Sequence, residues 1–338
     1  MLRTHNSEIV AEVCARFGVG PQYAQAYLDY WCQSRNQIYP NLEAILTLPD
    51  PEPMWFEYAL STNWRGEQML NLLRPYLRSN MHRYLDVGCG FGGFLAAFAR
   101  YGFEVCGIEI DTQRIALADA NLADWGLANR VNRLSILDEG LSQRLGTFDV
   151  ITCIDVIEHV LDVPKALRHM VSLLNPGGFL ILEIPNRHDL RFVARDGHFG
   201  LFGITLLERK DALRYHQRFF AFEYDVGEYF SSNYYRQKLE EAGCECRFLD
   251  SSLHVPASLR QMPALTRETL RRFAAFVRNQ RQQVPFPISL KIQVNYARYL
   301  LKLAISTVKL AFASRYRDLF KTEYLTDFWT LMASRQAE

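Results

Sequence analysis

Glycines at 88, 90, 92 and 93 follow directly on the apolar run Tyr84-Leu85-Asp86-Val87. A carboxylate, Glu109, stands about 20 residues past the first of them. Glycine in such a place lets the backbone take a positive φ and lets a ligand approach without meeting a Cβ. The stretch reads as strand, glycine turn, a helix from about Gly93 to Tyr101 stopped by Gly102, a second strand from Glu104 to Ile108, and a terminal acid. An acid at the carboxyl end of the neighbouring parallel strand is placed to accept hydrogen bonds from both hydroxyls of a ribose. The pattern implies an adenosine-binding half-fold. Further along, Asp155-Val156-Ile157-Glu158-His159 closes a second apolar run with two carboxylates and an imidazole, groups that bind cations or move protons.

Strand and helix alternate around these groups in a way that can position them. Asp111 or Thr112 caps a helix through Asp124, and Gly126 closes it. Val131 to Leu137 is a third strand, with Asp138 at its end. Phe148 to Val156 is a nearly continuous apolar run of the buried parallel type, so its end opens onto the crevice outside the strand ends where ligands bind. A helix from Pro164 to Leu174, the turn Asn175-Pro176-Gly177-Gly178 and a strand from Phe179 to Ile184 follow. The fold class is α/β, a doubly wound sheet.

Taken together, LDVGCGFGG, FDVITCIDVIEHV and LLNPGGFLILE resemble the signature segments of the class I S-adenosylmethionine (SAM)-dependent methyltransferases. DVIEHV is similar to the branch that includes the ubiquinone-biosynthesis O-methyltransferases. The resemblance covers about residues 80–186 and 231–251. It implies a Rossmann-like sheet of seven mostly parallel strands with SAM as the cofactor. It places Asp86 toward the methionine amino group, Gly88, Gly90 and Gly92 around the loop, and Glu109 on the ribose. Asp138 or the residue before it falls on adenine, and Ile154 with Asp155 near the methionine moiety. Gly88, Gly90 and Gly93 also satisfy the dinucleotide GxGxxG, so a nicotinamide-dependent dehydrogenase is the alternative enzyme. A SAM-binding scaffold that catalyses nothing is a third reading.

Methyl transfer to an oxygen or nitrogen also requires that the acceptor lose a proton. His159 is the first candidate base, because it follows the fourth strand at the crevice and imidazole exchanges a proton near neutral pH. Its alternative is a helix-start histidine bonded to a backbone carbonyl. His198 is the second candidate, with His188 and His216 behind it. Glu158, His159 and Asp162 offer three ligands to a hard ion, but so short a segment rarely forms a site unaided, and no metal is expected. Tyr58, Asn63 and Arg65, ahead of the first strand, are candidate ligand contacts or simply parts of a packed helix.

The 338 residues exceed what one nucleotide-binding domain needs. The expected division is a helical cap at 1–80, the SAM-binding core at 81–186, a lid insertion at 187–230 over the acceptor, the end of the core sheet at 231–251, and a helical region at 252–338. The insertion carries Phe219, Phe220, Phe222, Tyr224, Tyr229 and Phe230, which suit either a specificity pocket or a small core of its own. A net charge of +1 gives no reason to expect nucleic-acid binding. Seven cysteines without a CxxC pair, and an amino terminus without a signal-type apolar core, point to a reducing, cytoplasmic setting. In 290–312, Lys291, Arg298, Lys302 and Lys309 fall within roughly 40° on one helix face, so this segment is amphipathic and does not span a membrane. It packs on the core or on a second subunit as a homodimer, or makes peripheral membrane contact. The expected acceptor is a small-molecule or lipid-linked organic compound, methylated at oxygen.

Overall fold

The computed structural model describes residues 7–49, 51–250 and 256–336. The first six residues and the expected boundary at 251–252 lie outside the described residues. The amino-terminal helices are α1 (Ser7–Phe17), α2 (Pro21–Arg35), α3 (Leu42–Leu46), α4 (Glu52–Leu60) and α5 (Thr62–Leu73). The core then runs β1 (Arg83–Val87), α6 (Gly93–Tyr101), β2 (Glu104–Glu109), α7 (Thr112–Ala123), β3 (Val131–Arg133), α8 (Leu141–Leu145), β4 (Phe148–Ile154), α9 (Val163–Ser172) and β5 (Leu174–Pro185). After it come α10 (Leu190–Ala194), α11 (Arg209–His216), α12 (Ser232–Glu241), β6 (Cys244–Leu249), α13 (Met262–Ala275), α14 (Phe286–Lys309), α15 (Arg315–Tyr324) and β7 (Phe328–Arg335).

One sheet of seven strands joins them in the order β3-β2-β1-β4-β5-β7-β6. The ladders from β3 to β5 are parallel, and β7 runs antiparallel between β5 and β6. This is the Rossmann-like methyltransferase arrangement. The strand order reverses between β1 and β4, and ligands bind at such a switch point, outside the carboxyl ends of the strands. β7 comes from the region expected to be helical throughout. Its Trp329, Leu331 and Ala333 are buried in the same apolar cluster as Leu180 and Leu182 of β5.

Two strand boundaries differ from expectation for local reasons. β3 stops at Arg133 because the chain then turns on Asp138, whose Oδ2 accepts from Ser135 N at 2.9 Å. β5 begins at Leu174 because the Pro176-Gly177-Gly178 segment stays in the ladder through a register shift between Phe148 and Val150.

The amino-terminal helices form an aromatic cluster around Tyr23, Tyr27, Trp31 and Phe56, and it extends to Phe91 in the glycine loop and Leu117 on α7. α5 begins earlier than expected and crosses α6 with backbone in contact: a Cβ on Gly66 would sit 2.4 Å from Gly93 O. The segment 187–230 shares one apolar core with the carboxyl-terminal helices, where Leu190, Phe202 and Tyr215 meet Ile292, Tyr296 and Tyr299. Asn186 fixes the junction by donating to the carbonyls of Thr322, Glu323 and Thr326 at 2.7–3.0 Å. The insertion is thus held from behind by α14 and α15. Among the described residues no helix is long and apolar enough to cross a membrane.

Candidate active site

The glycine turn forms where β1 meets α6. Gly88, Gly90 and Gly92 take φ of 69°, 50° and 78°. A Cβ on Gly88 would lie 2.4 Å from Val156, and one on Gly92 3.2 Å from Ala118, so both are required by packing. Gly90 differs: a Cβ there would meet only Gly88 O, at 3.9 Å, and the side of the loop above it is open. The positive φ and the open side together make Gly90 the point of close approach for a ligand.

Glu109, at the end of β2, faces this loop. Its Oε2 accepts from Gly90 N at 3.1 Å, and its Oε1 accepts from Ile110 N at 2.8 Å and Asp111 N at 3.0 Å. A carboxylate has about four acceptor positions, and the open one is on Oε2, the oxygen nearer the loop. Asp86 lies beneath, almost fully buried. Thr152 Oγ1 donates to its Oδ1 at 2.7 Å, and Tyr84 OH meets Thr152 Oγ1 at 2.5 Å. Burial pushes the Asp86 carboxyl up to about 7, and the Thr152 hydrogen bond restrains the rise. Thr152 is the one hydroxyl in the apolar run of β4, a signal present in the sequence.

At the end of β4, Asp155 adopts φ 54°, unusual outside glycine. Its Oδ2 accepts from Tyr58 OH at 2.7 Å and forms an ion pair with Arg65. Arg65 also lies 3.9 Å from the buried Glu183 of β5, with its guanidinium over the Tyr58 ring. Helices α4 and α5 thus close over the end of β4. Asn63 takes a different part: it exchanges hydrogen bonds with Asn121, whose Nδ2 also donates to Phe91 O at 2.8 Å. It therefore braces the glycine loop from behind.

The turn after β4 brings His159 and His198 together, their rings 5.2 Å apart and nearly perpendicular. His159 Nδ1 lies 3.1 Å from Asp225 O, so Nδ1 carries the proton that it donates and Nε2 is left as an acceptor. Gly227 N donates to Glu158 O at 2.5 Å, pinning the end of the insertion to this turn. Glu158 is buried, with Oε1 3.9 Å from His198 Nε2 and Oε2 without a hydrogen-bond partner among the described residues. Burial first, and then Asp155, holds its carboxyl well above the usual range. Burial and the neighbouring His159 hold His198 down at about 4. One ligand-type atom from each of Glu158, His159 and His198 lies within 4.8 Å of the other two.

Other candidates stand elsewhere. Asp162 caps α9 through Lys165 N, His188 pairs with Glu323 at 2.5 Å, and His216 is enclosed by Phe199, Phe220, Phe222 and Tyr224. Asp138 is occupied by the turn at Ser135. Of the partners of the histidine pair, Tyr229 was named in the sequence only as part of the aromatic cluster, and Asp225 was not singled out. Tyr229 OH lies 3.3 Å from His198 Nδ1.

A family model described as "Methyltransferase domain" matches residues 41–247, more than half of the chain. The ubiquinone biosynthesis O-methyltransferase of Albidiferax ferrireducens is 34% identical over 110 residues, covering 32% of this chain and 43% of that protein. Its counterpart in Ralstonia nicotianae is 36% identical over 107 residues, covering 31% of this chain and 44% of that one. The chain thus spans less than half the length of these curated relatives. Among solved structures, the YcgJ protein of Bacillus subtilis aligns with 81% of this chain and 100% of its own, at 15% identity and a TM-score of 0.46. The family match displaces the nicotinamide-dehydrogenase reading, and SAM is the cofactor that it implies. The open face at Gly90, the Glu109 acceptor position and the buried Asp86 carboxyl suit that ligand's close-packed backbone contact, its ribose and its ammonium. With this sheet order and this match, the chain belongs to the family of SAM-dependent methyltransferase domains.

Proposed function

We propose that this protein methylates an oxygen of a small or lipid-linked organic acceptor, with His159 as the proton acceptor. His159 does make the backbone-carbonyl bond of the alternative, but through Nδ1 only, and the observation that carries the reading is the orientation that this bond fixes. Its Nδ1–H is held on Asp225 O, which leaves Nε2 free to take a hydroxyl proton at the end of β4. Bound SAM supplies a methyl group already activated on sulfur. Asp86 would hold its ammonium, Glu109 its ribose, and the glycine turn its backbone contact, while Ile154 and Asp155 would border its methionine end, and Asp138, whose Oδ2 is taken by Ser135 N, would reach adenine only through its other oxygen. The segment around His198, Phe199 and Tyr229 excludes water from the acceptor. The seven free cysteines are consistent with a reducing, cytoplasmic setting.

A second reading has its own support in Glu158 Oε2, which has no hydrogen-bond partner among the described residues and lies beside two imidazoles. The trio differs from the one considered in the sequence, because His198 replaces Asp162. A divalent cation held there would favour the ionised acceptor oxygen. Calorimetry with SAM, S-adenosylhomocysteine and NAD comes first, followed by release of S-adenosylhomocysteine with a panel of phenolic and enolic acceptors. Micromolar binding of the sulfur ligands and turnover with an oxygen acceptor support the proposal. Binding with no turnover on any acceptor favours the scaffold reading, and no binding overturns both. Activity lost to a chelator and restored by Mg²⁺, Mn²⁺ or Zn²⁺ assigns the trio to a metal, whereas unchanged activity leaves His159 as the base alone.

Asp86 makes cofactor affinity pH-dependent. With its carboxyl at about 7 in the free protein, most of it is protonated at pH 6 and little at pH 8. An ammonium binds the ionised form, so the S-adenosylhomocysteine Kd is expected to rise roughly tenfold from pH 8 to pH 6. In Asp86→Asn, affinity is lower throughout and this slope is absent. A wild-type Kd that is flat across the range contradicts the assignment.

A further inference from the structure

We infer that α14 and α15 dock the protein on an anionic lipid surface. α14 has two apolar faces. Ile288, Ile292, Tyr296, Tyr299 and Leu303 are buried in the core shared with the insertion. Leu290, Val294, Leu301, Ile305 and Val308 recur on the opposite side and stand in solvent, and Phe312 continues their line past the helix end. Leu301, Val308 and Phe312 are 63%, 62% and 76% exposed, values that mark a face left uncovered by the described residues.

Charge selects the occupant. Lys291 is tied to Asp211, but Arg298, Lys302 and Lys309 line one border of the exposed stripe and are themselves exposed. Arg315 and Arg317 on the following helix α15 are exposed as well, as is Leu319. From Val294 to Leu319 there are five basic residues and one acid, Asp318. A second copy docked through the same stripe would bring two basic borders together with no acidic row to meet them. Anionic headgroups neutralise the border while the apolar residues enter the acyl boundary, and the long basic side chains reach up to the phosphates. The surface stands on exposure and charge alone and does not depend on methyl transfer.

Sedimentation of the full chain with vesicles tests it. Strong binding is expected to phosphatidylcholine vesicles doped with phosphatidylglycerol, and weak binding to phosphatidylcholine alone. Leu301→Ser with Val308→Ser is expected to weaken binding roughly tenfold. Arg298→Gln with Lys302→Gln is expected to weaken it by roughly fivefold per charge at low salt, and added salt should mimic that loss. None of these side chains touches the active site, so S-adenosylhomocysteine binding and thermal melting stay at wild-type values and show that each variant is folded. No sedimentation with either vesicle, or equal sedimentation of wild type and variants, overturns the proposal. So does a dimer in light scattering that becomes a monomer in the serine variant, because that result gives the stripe to a second copy.

Discussion

Replacing His159 with glutamine is expected to lower kcat by roughly 10²–10⁴-fold while S-adenosylhomocysteine binds as in the wild type. Glutamine keeps a polar side chain of similar reach and can still donate to Asp225 O, so the turn after β4 should hold. What it loses is a nitrogen that accepts and keeps a proton. His198 is a poor substitute, because burial and the neighbouring ring hold it at about 4 and it binds a proton weakly at neutral pH. The two imidazoles thus differ in task although their rings touch: one can take the proton, and the other stays neutral to hydrogen-bond or to ligate. His198→Ala should accordingly cost less in kcat and more in acceptor KM, since His198 belongs to the segment that covers the acceptor. Single-turnover kinetics with an oxygen acceptor give the decisive comparison. If His159→Gln turns over at the wild-type rate, the proton leaves by another route and His159 is only a positioning residue. If kcat falls in this variant while S-adenosylhomocysteine affinity and the melting temperature stay at wild-type values, the base is His159.

What the sequence made legible was local. The glycine turn, Glu109 and the end of β4 could be read because each lies within one strand–turn–helix unit whose residue spacing is set by backbone geometry. β7 was missed because nothing near Phe328–Arg335 shows that it slots between β5 and β6, and its neighbours in sequence are helices. The pairing of 187–230 with α14 was missed for a related reason. Composition identified an aromatic cluster, but only the fold shows that Phe202 and Tyr215 are backed by Tyr296 and the π-helical turn at Phe276. The site shows the same division. His159 could be named from its place after β4, whereas Asp225, which orients it, lies across the insertion and carries no spacing signal. Tyr58 and Arg65 were visible as residue types, but their contact with Asp155 depends on how α4 and α5 cross the sheet edge. Asp155 accepts its left-handed backbone because that crossing supplies both a hydroxyl and a guanidinium to its carboxylate.

The second large effect belongs to Glu109. In Glu109→Ala the Kd for S-adenosylhomocysteine is expected to rise roughly a hundredfold, from two causes that can be separated. The first is loss of the acceptor position for a ribose hydroxyl, a charge-assisted hydrogen bond of about 1.5–3 kcal/mol. The second is structural. Gly90 N, Ile110 N and Asp111 N all donate to this carboxylate, and removing it leaves three backbone donors to find water. Glu109→Gln divides the two. Its amide oxygen can still accept from backbone N–H groups, but the charge is gone and one oxygen has become a donor. Because both oxygens accept backbone N–H groups, the amide nitrogen must face one of these donors, and glutamine recovers only part of the melting temperature. If the loop is the main beneficiary, affinity recovers in step with stability; if the ribose is, the Kd stays at least roughly tenfold above wild type whatever stability is regained. Calorimetry with adenosine beside 2′-deoxyadenosine settles which hydroxyl is involved, since the deoxy ligand should be insensitive to the substitution if Glu109 holds the 2′ position. Wild-type affinity in Glu109→Ala would remove the ribose role altogether and leave Glu109 as the clamp that closes the glycine turn.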